Sequence, residues 1–262
     1  MPARFRLLAC EVLREEAELL LRELGTADRF DAEWFEMGLH EKPEHLKAEL
    51  KTRVAACAGL GYEAILLLFG LCSNVTAGLE APAGVRLVIP RVHDCVSLYL
   101  GSGKRYMAEH AAEAGTYWFS RGFLHRTDGR SPESSGLGVS GMLTDQDGKP
   151  ASREEMYRRF VEEYGEENAD YLMETLVDSW KKNYRRAVYL DWDGNADREA
   201  DKRYVQDYAE QNNWRFETKP VDLRLVRALM GGPWPEDEFV TVLPGQRVIA
   251  TNDNEVMRVA RV

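Results

Sequence analysis

The sequence lacks a long hydrophobic run, and this absence argues against attachment to a membrane. The longest uncharged apolar run extends from Ala64 to Cys72, far short of the roughly 20 residues that a transmembrane helix needs. At the amino terminus, Glu11, Glu15 and Glu16 interrupt the chain before an apolar stretch of signal-peptide length can form. We therefore expect a soluble cytoplasmic protein with no membrane partner.

The chain also lacks an excess of positive charge. It has 34 Lys and Arg residues against 44 Asp and Glu residues, and its formal net charge is −10. Proteins that bind nucleic acid rely on clustered Lys and Arg side chains to contact phosphates. We therefore predict no nucleic-acid partner and expect a small-molecule substrate, while the oligomeric state stays open.

Cysteine is scarce, with only four residues in 262. Four cysteines are too few to form the disulfide framework of a chain this long, and a cytoplasmic compartment keeps thiols reduced. If the cysteines act together, metal binding or thiol chemistry is the function that this number favours.

Short apolar runs alternate with amphipathic segments, a pattern typical of βαβ units. Strands are predicted over residues 5–9, 64–69 and 85–89, and the second run has the continuous apolar character of a central strand. A helix is predicted over residues 11–24 and ends at Gly25. The predicted fold class is α/β, with a mainly parallel sheet, flanking helices and two α/β lobes.

The lobes are predicted to meet at a polar segment. Residues 1–125 form an N-terminal α/β lobe that carries most of the chemistry, and residues 126–150, rich in Gly, Ser and Asp, are predicted to form a loop or lid. Ser152 and Glu155 make a capping-box pattern that opens a helix. Residues 151–262 then form a C-terminal α/β lobe, either separate from the first or continuous with it.

Three cysteines and one histidine directly follow predicted strands. Cys10, Cys72 and the pair His93 and Cys95 each come after a different strand. Ligands of parallel α/β sheets collect outside the carboxyl ends of the strands, so this placement predicts that the four side chains share one metal site. Zinc suits such a Cys/His set best, although three cysteines could also hold a 4Fe-4S iron–sulfur cluster with one open iron.

Two interpretations that need no metal stay open for the cysteines. Free cysteine is a common core residue, and we expect this role for Cys57 in the helical segment AACAG. Redox-active thiols are the other reading, and they would form disulfides among Cys10, Cys72 and Cys95 only if their Cα atoms lie within about 7 Å.

Five charged or titratable residues are candidates for supporting roles. Glu11, His40 and Asp94 could transfer protons or orient metal ligands, although Asp94 also fits a local turn. The segment GSGKRY resembles an incomplete phosphate loop, so Lys104 and Arg105 are predicted to bind an anionic substrate or cofactor. Solvated surface charges are the alternative for these two residues.

The segments LLACEVLREE, LLLFGLCSN, IPRVHDCVSLYLGSGKRY and VLPGQ together resemble the DUF1638 family of bacterial and archaeal proteins. The resemblance implies a setting close to corrinoid-dependent methyl transfer, with a corrinoid protein as a possible partner. It also carries over Cys10, Cys72, His93 and Cys95 as recurring motif residues. A narrower likeness connects His93 and Cys95 with the His-x-Cys zinc pair of cobalamin methyltransferases of the uroporphyrinogen-decarboxylase type, whose barrel needs a longer chain.

The leading hypothesis is a zinc-dependent enzyme, a methyltransferase or lyase, that activates a thiol or similar nucleophile in methyl or sulfur metabolism. If all four ligands bind at once the site is closed and structural, so catalysis requires one position that substrate can take. An iron–sulfur enzyme is one alternative. A metallochaperone or accessory factor of a corrinoid protein, which binds without turnover, is the other.

Overall fold

The computed structural model describes residues 4–37, 39, 43–125 and 153–262, and its strands are short and well paired. The strands are β1 (Phe5–Cys10), β2 (Phe30–Phe35), β3 (Ala64–Leu68), β4 (Arg86–Pro90), β5 (Thr116–Phe119), β6 (Arg186–Asp191), β7 (Arg215–Pro220), β8 (Phe239–Val242), β9 (Gln246–Ala250) and β10 (Met257–Arg261). The main sheet has the order β2-β1-β3-β4-β8. Strands β1 to β4 run parallel and β8 runs antiparallel to β4, which confirms the predicted α/β class with a mainly parallel sheet.

Helices alternate with these strands. They are α1 (Arg14–Glu23), α2 (Pro43–Ala55), α3 (Cys95–Tyr99), α4 (Gly103–Ala112), α5 (Arg121–Leu124), α6 (Arg153–Tyr164), α7 (Glu166–Leu172), α8 (Arg198–Gln211) and α9 (Arg224–Gly231). Shorter turns of 3₁₀ helix cover Glu11–Leu13, Ala27–Arg29 and Ser179–Asn183, and a π-helical turn covers Met173–Val177. Within the described ranges no helix has the length and apolar character to cross a bilayer.

The core of the main sheet explains why its strands form where they do. All five residues of β3 are buried, as a central parallel strand covered on both faces requires. Helices α1 and α9 each present an apolar stripe to this part of the molecule, and in α9 that stripe contains Leu225, Val226 and Leu229. Hydrophobic burial thus fixes the strand order, and with it the position of every strand end.

The chain divides into two compact units. The first comprises Met1–Ala112, Trp192–Gly194 and Pro220–Val262, and the second comprises Glu113–Asp191 and Asn195–Lys219. The chain therefore leaves the first unit and returns to it. The predicted lid at residues 126–150 lies outside the described residues, so the predicted division of the lobes stays a prediction.

The second unit is built on a three-stranded sheet of order β5-β6-β7, in which β5 and β6 are parallel. Its core is strongly aromatic; the buried or partly buried rings are those of Tyr117, Phe119, Phe123, Trp180, Tyr184, Tyr189, Tyr208, Trp214 and Phe216. The buried guanidinium of Arg186 donates to Thr116 Oγ1 over 2.9 Å and to Glu217 Oε2 over 3.2 Å. These bonds satisfy a charged side chain that would be costly to bury alone.

Candidate functional site

The carboxyl ends of β1, β3 and β4 meet at one edge of the main sheet. Strand β3 lies between the other two, and all three run in the same direction. Cys10 is the last residue of β1, Cys72 follows β3 in the next turn, and Cys95 begins the helix after β4. The adjacency of the strands, which the predicted site requires, is therefore present.

Backbone hydrogen bonds join the turn after β3 to the turn after β4. The amide of Leu71 donates to the carbonyl of Val92 over 2.9 Å, and the amide of Cys72 donates to the carbonyl of His93 over 2.8 Å. Gly70 makes this approach possible, because a Cβ at that position would lie 2.7 Å from the backbone nitrogen of Asp94. The two turns consequently hold Cys72 and the His93–Cys95 segment at a fixed separation.

The turn that carries Cys72 has an unusual backbone. Cys72, Ser73 and Asn74 have φ angles of 45°, 56° and 69°, so three successive non-glycine residues are left-handed. Such residues cost free energy and persist only when their surroundings fix them. Here Val75 is buried just after them, and the hydroxyl of Thr76 donates to the carbonyl of Gly70 over 3.2 Å. The left-handed backbone thus includes Cys72, the residue that carries the thiol.

Cys95 is placed by a capped helix. Asp94 is the N-cap of α3, and its Oδ1 atom accepts from the amide of Ser97 over 3.1 Å and from the hydroxyl of Ser97 over 3.3 Å. This is the local use of an Asp that the sequence offered as one reading. The hydroxyl of Tyr99, one turn further along α3, donates to the carbonyl of Val12 just after Cys10. That bond joins the segments that carry Cys95 and Cys10.

The thiols of Cys10, Cys72 and Cys95 lie close enough to act on one another electrostatically. Burial raises the pKa of Cys72 far above its ordinary value, and the charges of Cys10 and Asp94 raise it further. Burial likewise raises the pKa of Cys95, followed by the charges of Asp94, Cys10 and Cys72. Without a cation the thiols of Cys72 and Cys95 therefore stay protonated at neutral pH. None of the three cysteines forms a disulfide.

The remaining predicted ligand, His93, is positioned by the hydrogen bond that its backbone carbonyl accepts from the amide of Cys72. Its imidazole is half-buried and forms no hydrogen bond or ion pair with another described residue. Across the described ranges, no group of three or more Cys, His, Asp or Glu side chains has the arrangement that holds a metal ion. The structure places the three thiols at neighbouring strand ends, and the ligand role of all four residues stays a prediction.

The predicted supporting residues have different environments. Glu11 Oε1 accepts from the amide of Met37 over 2.7 Å, which ties the end of β1 to the segment after β2. Lys104 is exposed in the first turn of α4, and the guanidinium of Arg105 donates to the carbonyl of Leu100 over 3.4 Å. His40 lies outside the described residues. The catalytic and anion-binding roles of these residues stay predictions.

Cys57 stands apart from the other cysteines. It is 3% exposed, and its thiol donates to the carbonyl of Arg53 over 3.2 Å near the end of α2. Burial raises the pKa of this thiol. These features agree with the core role expected from the sequence and make Cys57 a suitable control position.

Sequence reasoning missed two residues that organise this edge of the sheet. Gly70 precedes the cysteine turn, and its signal was a glycine directly after the apolar run of β3. Tyr99 lies four residues after Cys95, so it was visible as a helical neighbour, but its bond to Val12 spans 87 residues of sequence. Only the folded chain shows such a contact.

Comparison with known proteins gave one match. A family model described as "Protein of unknown function (DUF1638)" matches residues 34–230. The matched range contains Cys72, His93 and Cys95, whereas Cys10 precedes it. No curated protein and no solved structure matched the chain.

Proposed function

Because the chain belongs to the DUF1638 family, whose description states no function, we propose a function from the site itself: Cys10, Cys72 and Cys95 bind a thiophilic metal ion that activates a nucleophile. Zinc is the first choice of metal. The proposed reaction class is methyl or sulfur transfer to or from a thiol, as in a zinc-dependent methyltransferase or lyase. The observation that carries this proposal is the convergence of three thiols from adjacent strand ends.

The donor set fits a soft divalent metal. Thiolate is the ligand that zinc and iron–sulfur clusters favour, and a cation removes the electrostatic penalty of three neighbouring thiolates. The raised pKa values of Cys72 and Cys95 describe the protein without that cation. The proposal rests on this donor chemistry, since the described residues have no preformed ligand geometry.

A three-thiolate set would leave a position for substrate. Catalytic zinc keeps such an open position, whereas structural zinc is closed by four protein ligands. His93 is the residue that would close the site, and its imidazole has no hydrogen bond with the described residues. When bound, zinc would keep a substrate thiol deprotonated at neutral pH and so make it a nucleophile.

The protein's own residues would supply positioning. Asp94 caps α3 and thereby orients Cys95, while the Tyr99 hydroxyl holds α3 against the segment that follows Cys10. The two hydrogen bonds between the turns after β3 and β4 hold Cys72. A corrinoid protein is the macromolecular partner that the family resemblance suggests, and it belongs to the proposal together with the methyl-transfer reaction.

The deciding experiment is metal analysis of protein purified without oxygen. We expect a single zinc ion per chain in the wild type, its loss in the double variant Cys72→Ala, Cys95→Ala, and its retention in Cys57→Ala. Cys57 is the matched control because it is a buried thiol outside the cluster. Wild-type protein that takes up no metal even from added zinc would contradict the proposal.

The same experiment separates the alternatives. Iron with sulfide and a brown colour would assign a three-cysteine iron–sulfur cluster instead of zinc. Zinc that binds stoichiometrically, with no turnover over a panel of thiols and methyl donors, would favour a metallochaperone or an accessory factor. Turnover that survives in the double variant would exclude the catalytic role of the cluster.

A further inference from the structure

A second cluster of polar side chains lies in the second unit, independent of the cysteines. Strands β5 and β6 are parallel, and the residues of the cluster follow their carboxyl ends. His125 lies just past α5. Asn195 lies in the connection from β6 to α8, and Asp201 lies in the first turn of α8. The imidazole of His125 is 44% exposed, whereas the Asp201 side chain is 6% exposed. A half-exposed imidazole is thus in contact with a buried carboxylate.

The hydrogen bonds of Asn195 fix the direction of its amide. Its Oδ1 atom accepts from the backbone amide of Asp197 over 2.9 Å, so its NH₂ group must point the other way. That group donates to Asp201 Oδ2 over 2.7 Å and to the hydroxyl oxygen of Tyr189 over 2.9 Å. Asp201 Oδ2 is therefore occupied, and Oδ1 is left for the histidine.

This arrangement sets the tautomer of His125. Its Nε2 atom lies 2.7 Å from Asp201 Oδ1, which only accepts, and 3.1 Å from the guanidinium of Arg121, which only donates. The contact with the carboxylate is the shorter of the two, so we assign the ring hydrogen to Nε2. The hydrogen bond of one ring nitrogen determines the state of the other, so a neutral ring has its lone pair on Nδ1. Nδ1 forms no hydrogen bond with any described residue.

The charges around the ring suit a proton acceptor. The Nη1 atom of Arg121 lies 3.1 Å from His125 Nε2, 2.7 Å from Asp197 Oδ2 and 3.6 Å from Asp201 Oδ2. Among the described residues in this cluster, the two carboxylates and the guanidinium of Arg121 sum to one negative charge.

We propose that His125 and Asp201 form a proton-transfer site for a small molecule that carries a hydroxyl or thiol group. Nδ1 of His125 accepts the proton: the O–H or S–H bond breaks, its electron pair stays on the ligand atom, and an N–H bond forms. Asp201 is a positioning residue, which holds the ring and offsets the positive charge, and Asn195 positions Asp201 in turn. Oriented imidazoles of this kind act as general bases in many enzymes.

The experiment measures the tautomer directly by ¹⁵N NMR of the histidine side chains. We expect the Nε2–H form for His125 in the wild type. In Asp201→Asn the new amide must place its oxygen toward Asn195 and its NH₂ toward Nε2, so the hydrogen moves to Nδ1. Asp197→Asn is the matched control, because it removes the other carboxylate beside Arg121 and leaves the Asp201 contact in place.

The reactivity of Nδ1 provides the second readout, with diethyl pyrocarbonate as probe and peptide mapping by mass spectrometry. We expect Asp201→Asn to slow modification of His125 on the order of tenfold, because the lone pair has left the open nitrogen. Modification of the exposed residue His110 should be unchanged in the same molecules. An Nδ1–H tautomer in the wild type, or equal rates at His125 in the two proteins, would overturn the proposal. The wild-type spectrum by itself tests the predicted tautomer of His125, even if the variant does not fold.

Discussion

The backbone amide of Cys72 donates a hydrogen bond to the carbonyl oxygen of His93 over 2.8 Å. This bond crosses from the turn after β3 to the turn after β4, so the two most distinctive segments of the sequence, GLCSN and PRVHDC, form one structural element. It also holds the left-handed backbone at Cys72. The stability of this element and the presentation of the thiols are therefore coupled.

Substituting Gly70 should destabilise this element. In Gly70→Ala the new Cβ would meet the backbone of His93 and Asp94 at 2.7 to 2.9 Å, and these atoms cannot move aside as a side chain can. We expect the free energy of unfolding to fall by about 2 kcal/mol. Chemical denaturation measures this. Gly231→Ala is the control, since a Cβ there meets nothing within 4 Å, and a similar loss in both variants would contradict the argument.

Because of the thiols of Cys72 and Cys95, the stability of the metal-free protein should fall at alkaline pH. The folded state raises the pKa of Cys72 and Cys95 above the ordinary value of 9.0 through burial first. Their stabilising contribution is fully present below about pH 9 and is lost as pH rises above it, because the unfolded chain ionises first. Denaturation curves of chelator-treated protein between pH 8 and 10.5 should therefore show a steeper decline than those of Cys72→Ser, Cys95→Ser. Identical curves would be evidence against burial of these thiols.

Asp94 has two separable effects. Asp94→Ala removes the cap of α3 and should cost about 1 kcal/mol of stability, whereas Asp94→Asn keeps an acceptor for the Ser97 amide and should cost less. Both variants remove the negative charge that raises the pKa of Cys72 and Cys95. Alkylation of these thiols by iodoacetamide at pH 8, followed by mass spectrometry, should accordingly be faster in both variants. Unchanged rates in Asp94→Asn would show that the carboxylate charge does not reach the thiols.

The hydroxyl of Tyr99 should contribute to stability through a single buried bond. Tyr99→Phe leaves the carbonyl of Val12 without that donor, and an unpaired buried carbonyl costs about 1 to 2 kcal/mol. Tyr171→Phe is the control, because Tyr171 is 66% exposed. Thermal unfolding of the two variants and metal content of Tyr99→Phe should both be measured. We expect weaker metal retention in Tyr99→Phe, because α3 and the segment after Cys10 are then less firmly joined.

Much of the fold was predictable because hydrophobic periodicity is a local property. The strand predicted over residues 5–9 forms β1, and the apolar run at residues 64–69 forms the central strand β3. The helix predicted over residues 11–24 begins with the 3₁₀ turn at Glu11–Leu13 and continues as α1, which ends at Glu23. The hairpin of β9 and β10 was not predicted, because Val248 is the one buried residue of β9 and Met257 the one buried residue of β10, and Arg247 and Arg258 lie beside them.

The segment of residues 169–184 illustrates the limit of local patterns. The segment is apolar at helical spacing, yet α7 ends at Leu172 and the chain continues through the π-helical and 3₁₀ turns. Its side chains pack into two different clusters: Met173 and Val177 pack with Met156, whereas Trp180 packs with Trp214. Packing in two places outweighs the propensity for one continuous helix.

The sequence by itself determined the α/β class, the strand that each cysteine follows, and the separate character of Cys57, because each depends on residues close together in the chain. Only the tertiary structure decided that the strands of Cys10, Cys72 and Cys95 are neighbours, and that His125 meets Asp201 across 76 residues. Neighbouring strand ends and distant side-chain pairs result from burial of the whole core. That free energy belongs to the complete fold, so no single segment of sequence contains it.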